Sequence, residues 1–159
     1  WRIWHRQCVA GLDCSLHHGS VGIDGRFAGF SASEIGIADG GGMNRARAIM
    51  LIESELAAYR AAKANQDIVK AWTALERAHI LSQPFLGPHI ANHWSMLCFA
   101  VEQRDRREMT GQMVRLALAP LGALTGRIPV GNTGRSDVSA FKPMPIPEDL
   151  RDAMRMPDI

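Results

Sequence analysis

The chain has 159 residues, of which 47% are hydrophobic, so it can form one domain with its own core and is too apolar to be disordered throughout. The net charge of +2, with the basic run at 104–107 flanked by acidic residues, predicts no nucleic-acid partner, and the lack of a long apolar run predicts no membrane partner. Three cysteines (Cys8, Cys14 and Cys98) are too few and too unevenly placed for a disulfide framework, which favours a cytoplasmic protein.

Residues 1–42 differ in composition from the rest of the chain. They hold nine of the fifteen glycines, contain no methionine, and have no sustained helical or strand period. We expect a disordered or non-native leader here, with the folded unit starting near Met43. Histidines and cysteines are present in the leader, but they lack a recognised metal-ligand spacing.

Residues 43–120 carry the pattern of a helical domain. Residues 44–64 are rich in strong helix formers, and Asp67 is placed to cap a second helix that runs to about Ser82. Pro88 suits the first turn of a third helix, and we expect Trp94 on its apolar stripe. Asp105 and Glu108 resemble a capping box that opens a fourth helix, which Pro120 or Gly122 should end.

Residues 121–159 form the third region, the C-terminal segment. It is rich in proline and glycine, so we expect irregular structure packed on the helical domain, followed by a short final helix after Pro147. Gly131 and Gly134 are expected to adopt positive φ angles in turns.

The predicted fold is therefore all-α. Four helices joined by short turns should form two antiparallel hairpins, with the C-terminal segment wrapped on the bundle. A faint internal spacing of small and large residues favours tetratricopeptide-like packing, although the period of about 39 residues exceeds the usual 34.

Two segments of the chain carry a resemblance to a known family. They are AWTALERAHILSQPFLGPH at 71–89 and GRIPVGNTGRSDVSAFKPMPIPEDL at 126–150. On the basis of these two segments, residues 43–150 resemble DUF3703, a family of small bacterial proteins of unknown function. The resemblance implies a compact helical domain and supplies no catalytic residues.

A cluster of possible metal ligands lies on the second and third predicted helices. Glu76 and His79 are three residues apart, and His89 and His93 are four apart, so each pair shares a helical face. These residue types would suit a divalent transition metal such as Zn, Ni, Cu or Fe. A second Glu-x-x-His pair, which di-iron bundles require, is absent. The alternative is a structural role, in which these side chains bond one another or the C-terminal segment.

The loop after Gly131 is the second candidate site. Asn132, Thr133, Arg135, Ser136 and Asp137 combine a cation with hydrogen-bonding groups, a set that suits capture of a small anion or contact with a protein. The spacing Gly126-x4-Gly131 approaches a phosphate-binding loop, but Asn132 replaces its lysine. The same polar groups could instead bond helix ends.

Three functions remain open from the sequence. The first is a small cytoplasmic binding or interaction module, whose working surface is the loop at 132–137 with the nearby histidines. The second is a metal-binding protein that uses Glu76, His79, His89 and His93. The third is a small metal- or histidine-dependent hydrolase or transferase. No catalytic signature is present, so an enzyme is the least favoured of the three.

Overall fold

The computed structural model describes residues 45–125 and 129–155. Five helices account for most of them: α1 (Arg45–Ala64), α2 (Ile68–Ser82), α3 (Leu86–Glu102), α4 (Arg106–Thr125) and α5 (Glu148–Arg155). No strand occurs in this part of the chain, and the predicted all-α fold is confirmed. The predicted leader, residues 1–42, lies outside the described residues.

The helix starts follow the predicted caps. Asp67 Oδ1 accepts a hydrogen bond from the Lys70 N–H at 3.0 Å, and Asp105 Oδ1 accepts one from the Glu108 N–H at 2.9 Å. The Glu108 carboxylate, however, does not complete a capping box with Asp105. It is only 2% exposed and accepts hydrogen bonds from Ser136. Half of the predicted capping box forms, and the other half serves the C-terminal segment.

The end of α4 corrects the sequence prediction. The helix continues through Pro120 to Thr125 instead of ending at Pro120 or Gly122. Proline has a helical φ and removes only one backbone hydrogen bond, so a helix can pass through it when packing holds the flanking turns. Ala119, immediately before it, is buried at 7% exposure.

The helices pack as two hairpins. α1 lies against α2 and α3 lies against α4, and contacts between α2 and α3 join the two pairs. The main core lies where these helices meet and consists of Ala62, Ala71, Trp72, Leu75, Met96, Phe99 and Ala100. Tyr59 and Trp72 contact Phe99 with ring centroids 5.4 and 4.9 Å away. The tetratricopeptide-like detail stays a prediction.

The C-terminal segment is anchored at its far end by α5. Leu150 is 1% exposed and packs in a second apolar cluster with Ile52, Ala78 and Leu81. Arg77 on α2 forms ion pairs of 2.8 Å with both Glu55 on α1 and Asp149 on α5. The segment between α4 and α5 is therefore held across the helices that carry the candidate ligands.

The buried face of α3 is more polar than predicted. Trp94 was expected on the apolar stripe but is 37% exposed. His89, Asn92 and His93 are buried instead, on the side of the helix that also buries Met96. This rotation of α3 directs both of its histidines toward α2.

Candidate metal centre

Three imidazoles converge where the end of α2 meets the start of α3. His79 lies in the last turn of α2, while His89 and His93 are one turn apart on α3, so the short connection between the helices brings all three together. The Nε2 atom of His79 is 2.9 Å from that of His89 and 3.2 Å from that of His93. All three side chains are buried, with exposures of 2–6%. Within the described chain, these are the grouped side chains that could hold a metal ion.

The second nitrogen of His79 is fixed by the C-terminal segment. Its Nδ1 lies 2.8 Å from the backbone carbonyl oxygen of Asn132. A carbonyl oxygen can only accept, so His79 Nδ1 must carry the hydrogen and donate it. In the neutral ring, Nε2 is then left with a lone pair.

The second nitrogen of His93 is fixed in the same way by α4. Its Nδ1 lies 2.7 Å from Gln112 Oε1. The orientation of this amide is set by its other end, because Gln112 Nε2 donates to Glu108 Oε1 and to the Gly134 carbonyl, each at 2.8 Å. The oxygen therefore faces His93, whose Nδ1 must donate and whose Nε2 also keeps a lone pair.

Two lone pairs thus face each other across 3.2 Å, with no hydrogen between them in the neutral rings. Burial lowers the pKa of His79 well below its usual value, helped by the neighbouring imidazoles. Burial also lowers the pKa values of His89 and His93 to about 4. The imidazoles are therefore neutral near pH 7, and no proton lies between the two lone pairs. A metal cation placed between these nitrogens would supply the positive charge that two facing lone pairs attract.

His89 completes the cluster with less support than the other two. Its Nε2 faces His79, but its buried Nδ1 has no hydrogen-bond partner among the described residues. Because His79 Nε2 carries a lone pair, the 2.9 Å contact makes His89 Nε2 the donor in the neutral cluster, and ligation of a metal through that atom would require its hydrogen to move to Nδ1. The pair of second-nitrogen bonds at His79 and His93 resembles the outer bonds that hold metal-ligating histidines in proteins.

Arg115 on α4 adds a positive charge beside the cluster. Its Nη2 donates to the carbonyl oxygens of Arg135 and Val138, each at 2.5 Å. Burial and this guanidinium both disfavour protonation of all three imidazoles. The cluster therefore sits in an electropositive surrounding that keeps its rings neutral and able to donate lone pairs.

Glu76, the predicted fourth ligand, is not brought to the three imidazoles. Its carboxylate lies 3.2 Å from Arg135 Nη1, and burial raises its pKa while Arg135 partly opposes that rise. Arg135 also lies 3.2 Å from Glu108 and stacks over the Trp72 ring at 3.9 Å. The four-residue ligand set predicted from the sequence therefore becomes three histidines and a separate ion-pair network.

The loop residues predicted to bind a ligand make many internal contacts. Asn132 is buried, and its Nδ2 donates to the carbonyls of Ser139 and Lys142 while its Oδ1 accepts from the Gly134 N–H. Ser136 donates from both its N–H and its Oγ to Glu108. Thr133 is half-buried and its Oγ1 has no partner in the described residues, while Asp137 is exposed.

The glycines of this loop meet the prediction of positive φ and bear directly on the cluster. Gly131 has φ 76° and Gly134 has φ 79°. A Cβ atom on Gly134 would lie only 2.8–2.9 Å from atoms of the His79 ring. The loop therefore packs its backbone against the imidazole and also supplies the carbonyl that orients it.

Sequence reasoning missed the side chains that support the histidines. Gln112 is 0% exposed in the middle of α4, and Gln83 donates to the Pro129 and Asn132 carbonyls while accepting from the Gly131 N–H. Asn92 donates to the Leu75 carbonyl at 3.1 Å. A polar residue at a helical position that turns out to be buried has no local signature, and nothing short of the packing identifies it.

The fold and the centre together define a class: an all-α domain with a buried three-histidine cluster braced by its own C-terminal segment. Residues 46–154 match the model of DUF3703, described as a protein of unknown function, and the chain belongs to this family. No curated protein and no solved structure shows significant similarity to the chain. None of the described helices combines the length and apolar character that a bilayer crossing needs.

Proposed function

We propose that this protein binds one divalent transition metal ion through the Nε2 atoms of His79, His89 and His93. The observation that carries the proposal is the pair of Nε2 lone pairs of His79 and His93, which face each other at 3.2 Å. Two nitrogens bound at about 2.0–2.1 Å to one ion lie roughly 2.8–3.4 Å apart for coordination angles of 90° to 109°. The two distances from His79 Nε2, 2.9 and 3.2 Å, lie in that range, and the ligand atoms of all three histidines lie within 4.8 Å of one another.

The donor set favours a borderline transition metal over a hard cation. Ca²⁺ and Mg²⁺ prefer oxygen ligands, whereas imidazole nitrogen suits Zn²⁺, Cu²⁺, Ni²⁺ and Fe²⁺. The hydrogen bonds from the second nitrogens to Asn132 and Gln112 orient the rings and raise their basicity, as such outer contacts do around metal ions.

The number of ligands favours an ion with an open position. Structural zinc sites are usually closed by four protein ligands, whereas sites that take an exchangeable ligand keep three. Glu76, the fourth ligand predicted from the sequence, is paired with Arg135 instead. We therefore propose an ion that is held by the protein on one side and accessible to a small ligand on the other.

The test is a metal titration of the full chain after treatment with a chelator. We expect Zn²⁺ or Co²⁺ to bind in calorimetry at one ion per chain and to raise the melting temperature, since a ligand that binds only the folded state stabilises it. His79→Gln and His93→Gln should each abolish stoichiometric binding, because two nitrogens are left to hold the ion.

The matched control removes histidines elsewhere. His5, His17 and His18 lie outside the described residues, and their joint replacement by Gln should leave one bound ion per chain. If His79→Gln and His93→Gln retain metal stoichiometry and melting shift while the control loses them, the three-histidine site is wrong.

The interaction module with a working surface at 132–137 has less support. Asn132, Arg135 and Ser136 direct their polar groups to other parts of the same chain. Each of these contacts would have to be exchanged before the side chain met a partner. Binding of a protein or small anion at this loop stays a prediction, and the metal centre is the better supported function.

A further inference from the structure

A small cavity lies directly beside the three histidines. Its volume is about 60 Å³, and its walls include His79, His89, His93, Arg115, Leu118 and Phe141. A water molecule needs roughly 15 Å³ of such space, so the cavity holds about four non-hydrogen atoms. The apolar side chains in the wall favour a small ligand over an extended polar one.

The charges around this cavity are unbalanced. Among the described residues that line it none is acidic, whereas Arg115 carries a full positive charge. Glu108 is a buried carboxylate that acts on His93, and it is already paired with Ser136, Gln112 and Arg135. Asp137, which attracts the Arg115 guanidinium, is exposed to solvent.

A bound divalent ion would enlarge this imbalance. Three neutral imidazoles contribute no negative charge, so the ion keeps both of its positive charges next to Arg115. A buried charge is tolerated when an opposite charge lies beside it. A metal ion that is held by three protein ligands binds a small basic ligand at its open coordination position. Both demands are met by one monovalent anion.

The surface outside the cavity carries the same sign of charge. An open groove shares Arg115 and Ala140 with the cavity and is lined further by Arg107, Thr110 and Ser136. No acidic residue is among the described residues of its wall. A groove of one charge attracts counter-ions toward the site behind it.

We propose that the open coordination position is an anion site, in which a monovalent anion of up to about four non-hydrogen atoms is held between the metal ion and Arg115. The proposal rests on the metal site of the previous section and assigns its ligand class. Halide, azide, formate and hydroxide share the required charge and size, whereas benzoate has the charge but exceeds the size.

The test uses the full chain loaded with Co²⁺, whose visible absorption reports its coordination. Sodium azide should change the spectrum with saturation at one azide per ion, while benzoate at equal ionic strength leaves it unchanged. Arg115→Met should retain the Co²⁺ bands and weaken azide about tenfold to a hundredfold, as expected for loss of a charge-assisted contact. Arg60→Met, on the exposed side of α1, is the matched control and should bind azide like the parent protein.

The outcomes separate the two proposals. If Co²⁺ gives no bound spectrum, the metal site is wrong and the anion site with it. If Co²⁺ binds but azide has no effect, or benzoate acts equally well, only the anion site is overturned. Equal azide affinity in Arg115→Met and the parent protein also overturns it. Arg115 also bonds two backbone carbonyls, so Arg115→Lys replaces Arg115→Met if the latter does not fold. Unchanged azide affinity in Arg115→Lys, whose side chain is shorter, overturns the role of the guanidinium.

Discussion

At the scale of single residues, the centre depends on which nitrogen of each ring carries a hydrogen. Asn132 and Gln112 present oxygens to the Nδ1 atoms of His79 and His93 and thereby direct both Nε2 lone pairs inward. Gln112 can do so because Glu108 and Gly134 accept from its amide nitrogen. A chain of hydrogen bonds that ends on a carboxylate thus determines the donor atoms.

Gln112→Leu should therefore weaken metal binding while the three ligands remain in place. We expect a loss of about tenfold to a hundredfold in affinity, the usual effect of removing an outer contact of a ligating histidine. Competitive titration against a chelating dye measures it. Gln103→Leu, at the exposed end of α3, is the control, and an equal loss in both variants would contradict the role given to Gln112.

Gly134→Ala should act on His79 through direct contact. Alanine at φ 79° costs about 1–2 kcal/mol, and its Cβ would also meet the imidazole at 2.8 Å. We expect lower stability to urea and weaker metal binding together. Gly87→Ala, where a Cβ meets nothing within 4 Å in the first turn of α3, should be neutral or slightly stabilising.

The three histidines could be predicted from the sequence, whereas the residues that hydrogen-bond to them could not. The spacing of four between His89 and His93 fixes a shared face wherever the helix lies. The carboxylate of Glu76 also has a favourable spacing from His79, yet Arg135, remote in sequence, pairs with it. Residues brought from α4 and the C-terminal segment leave no trace in the local sequence of α2 and α3.

At the scale of elements, the C-terminal segment links the two hairpins to the centre. It bonds α2 through Gln83 and α4 through Arg115, and it is anchored at its far end by Leu150 on α5. Irregular backbone is stable here because buried side chains take up its polar groups. The segment is therefore a structural part of the domain.

Leu150→Ala tests this anchoring. The side chain is 1% exposed, so truncation should cost about 2–5 kcal/mol in the free energy of unfolding. Chemical denaturation followed by circular dichroism measures the loss. Val114→Ala, 52% exposed on α4, should change stability by less than about 0.5 kcal/mol, and similar values for the two would show that α5 does not anchor the segment.

The elements were predicted well except at their ends. Caps such as Asp67 act locally, so the sequence identifies them. Pro120 has an equally clear local preference, but α4 passes through it because flanking residues such as Ala119 are buried. Trp94 likewise follows the apolar period of α3 while the packed face contains the histidines. In both cases tertiary packing outweighs local preference.

At the scale of the whole molecule, three neutral imidazoles in the interior make the metal-free fold sensitive to acid. Burial lowers the pKa values of His89 and His93 from 6.5 to about 4, so the unfolded chain takes up protons that the folded chain refuses. The contribution of these neutral rings to the free energy of unfolding is fully present above pH 6.5 and is lost as the pH falls toward 4. Glu76, whose pKa is raised by burial, opposes this trend at lower pH.

We therefore expect the free energy of unfolding of the chelator-treated protein to fall by on the order of 4 kcal/mol between pH 7.5 and pH 5, about 2 kcal/mol from each of His89 and His93. Urea denaturation at both pH values measures it. The double variant His89→Gln and His93→Gln should lose the part of this dependence that these two rings contribute, because Gln does not titrate, while buried His79 keeps its own part. A parent protein as stable at pH 5 as at pH 7.5 would contradict the burial of neutral rings.

The position of the ligands along the chain has a consequence for the order of folding. His79 and His93 are only 14 positions apart, on two helices joined by one short turn, whereas their hydrogen-bond partners Gln112 and Asn132 come from later in the chain. Closing so short a loop is fast and entropically cheap. If a metal ion binds at the proposed site, it would engage the α2–α3 hairpin before the C-terminal segment docks, and we expect it to raise the refolding rate more than it slows unfolding.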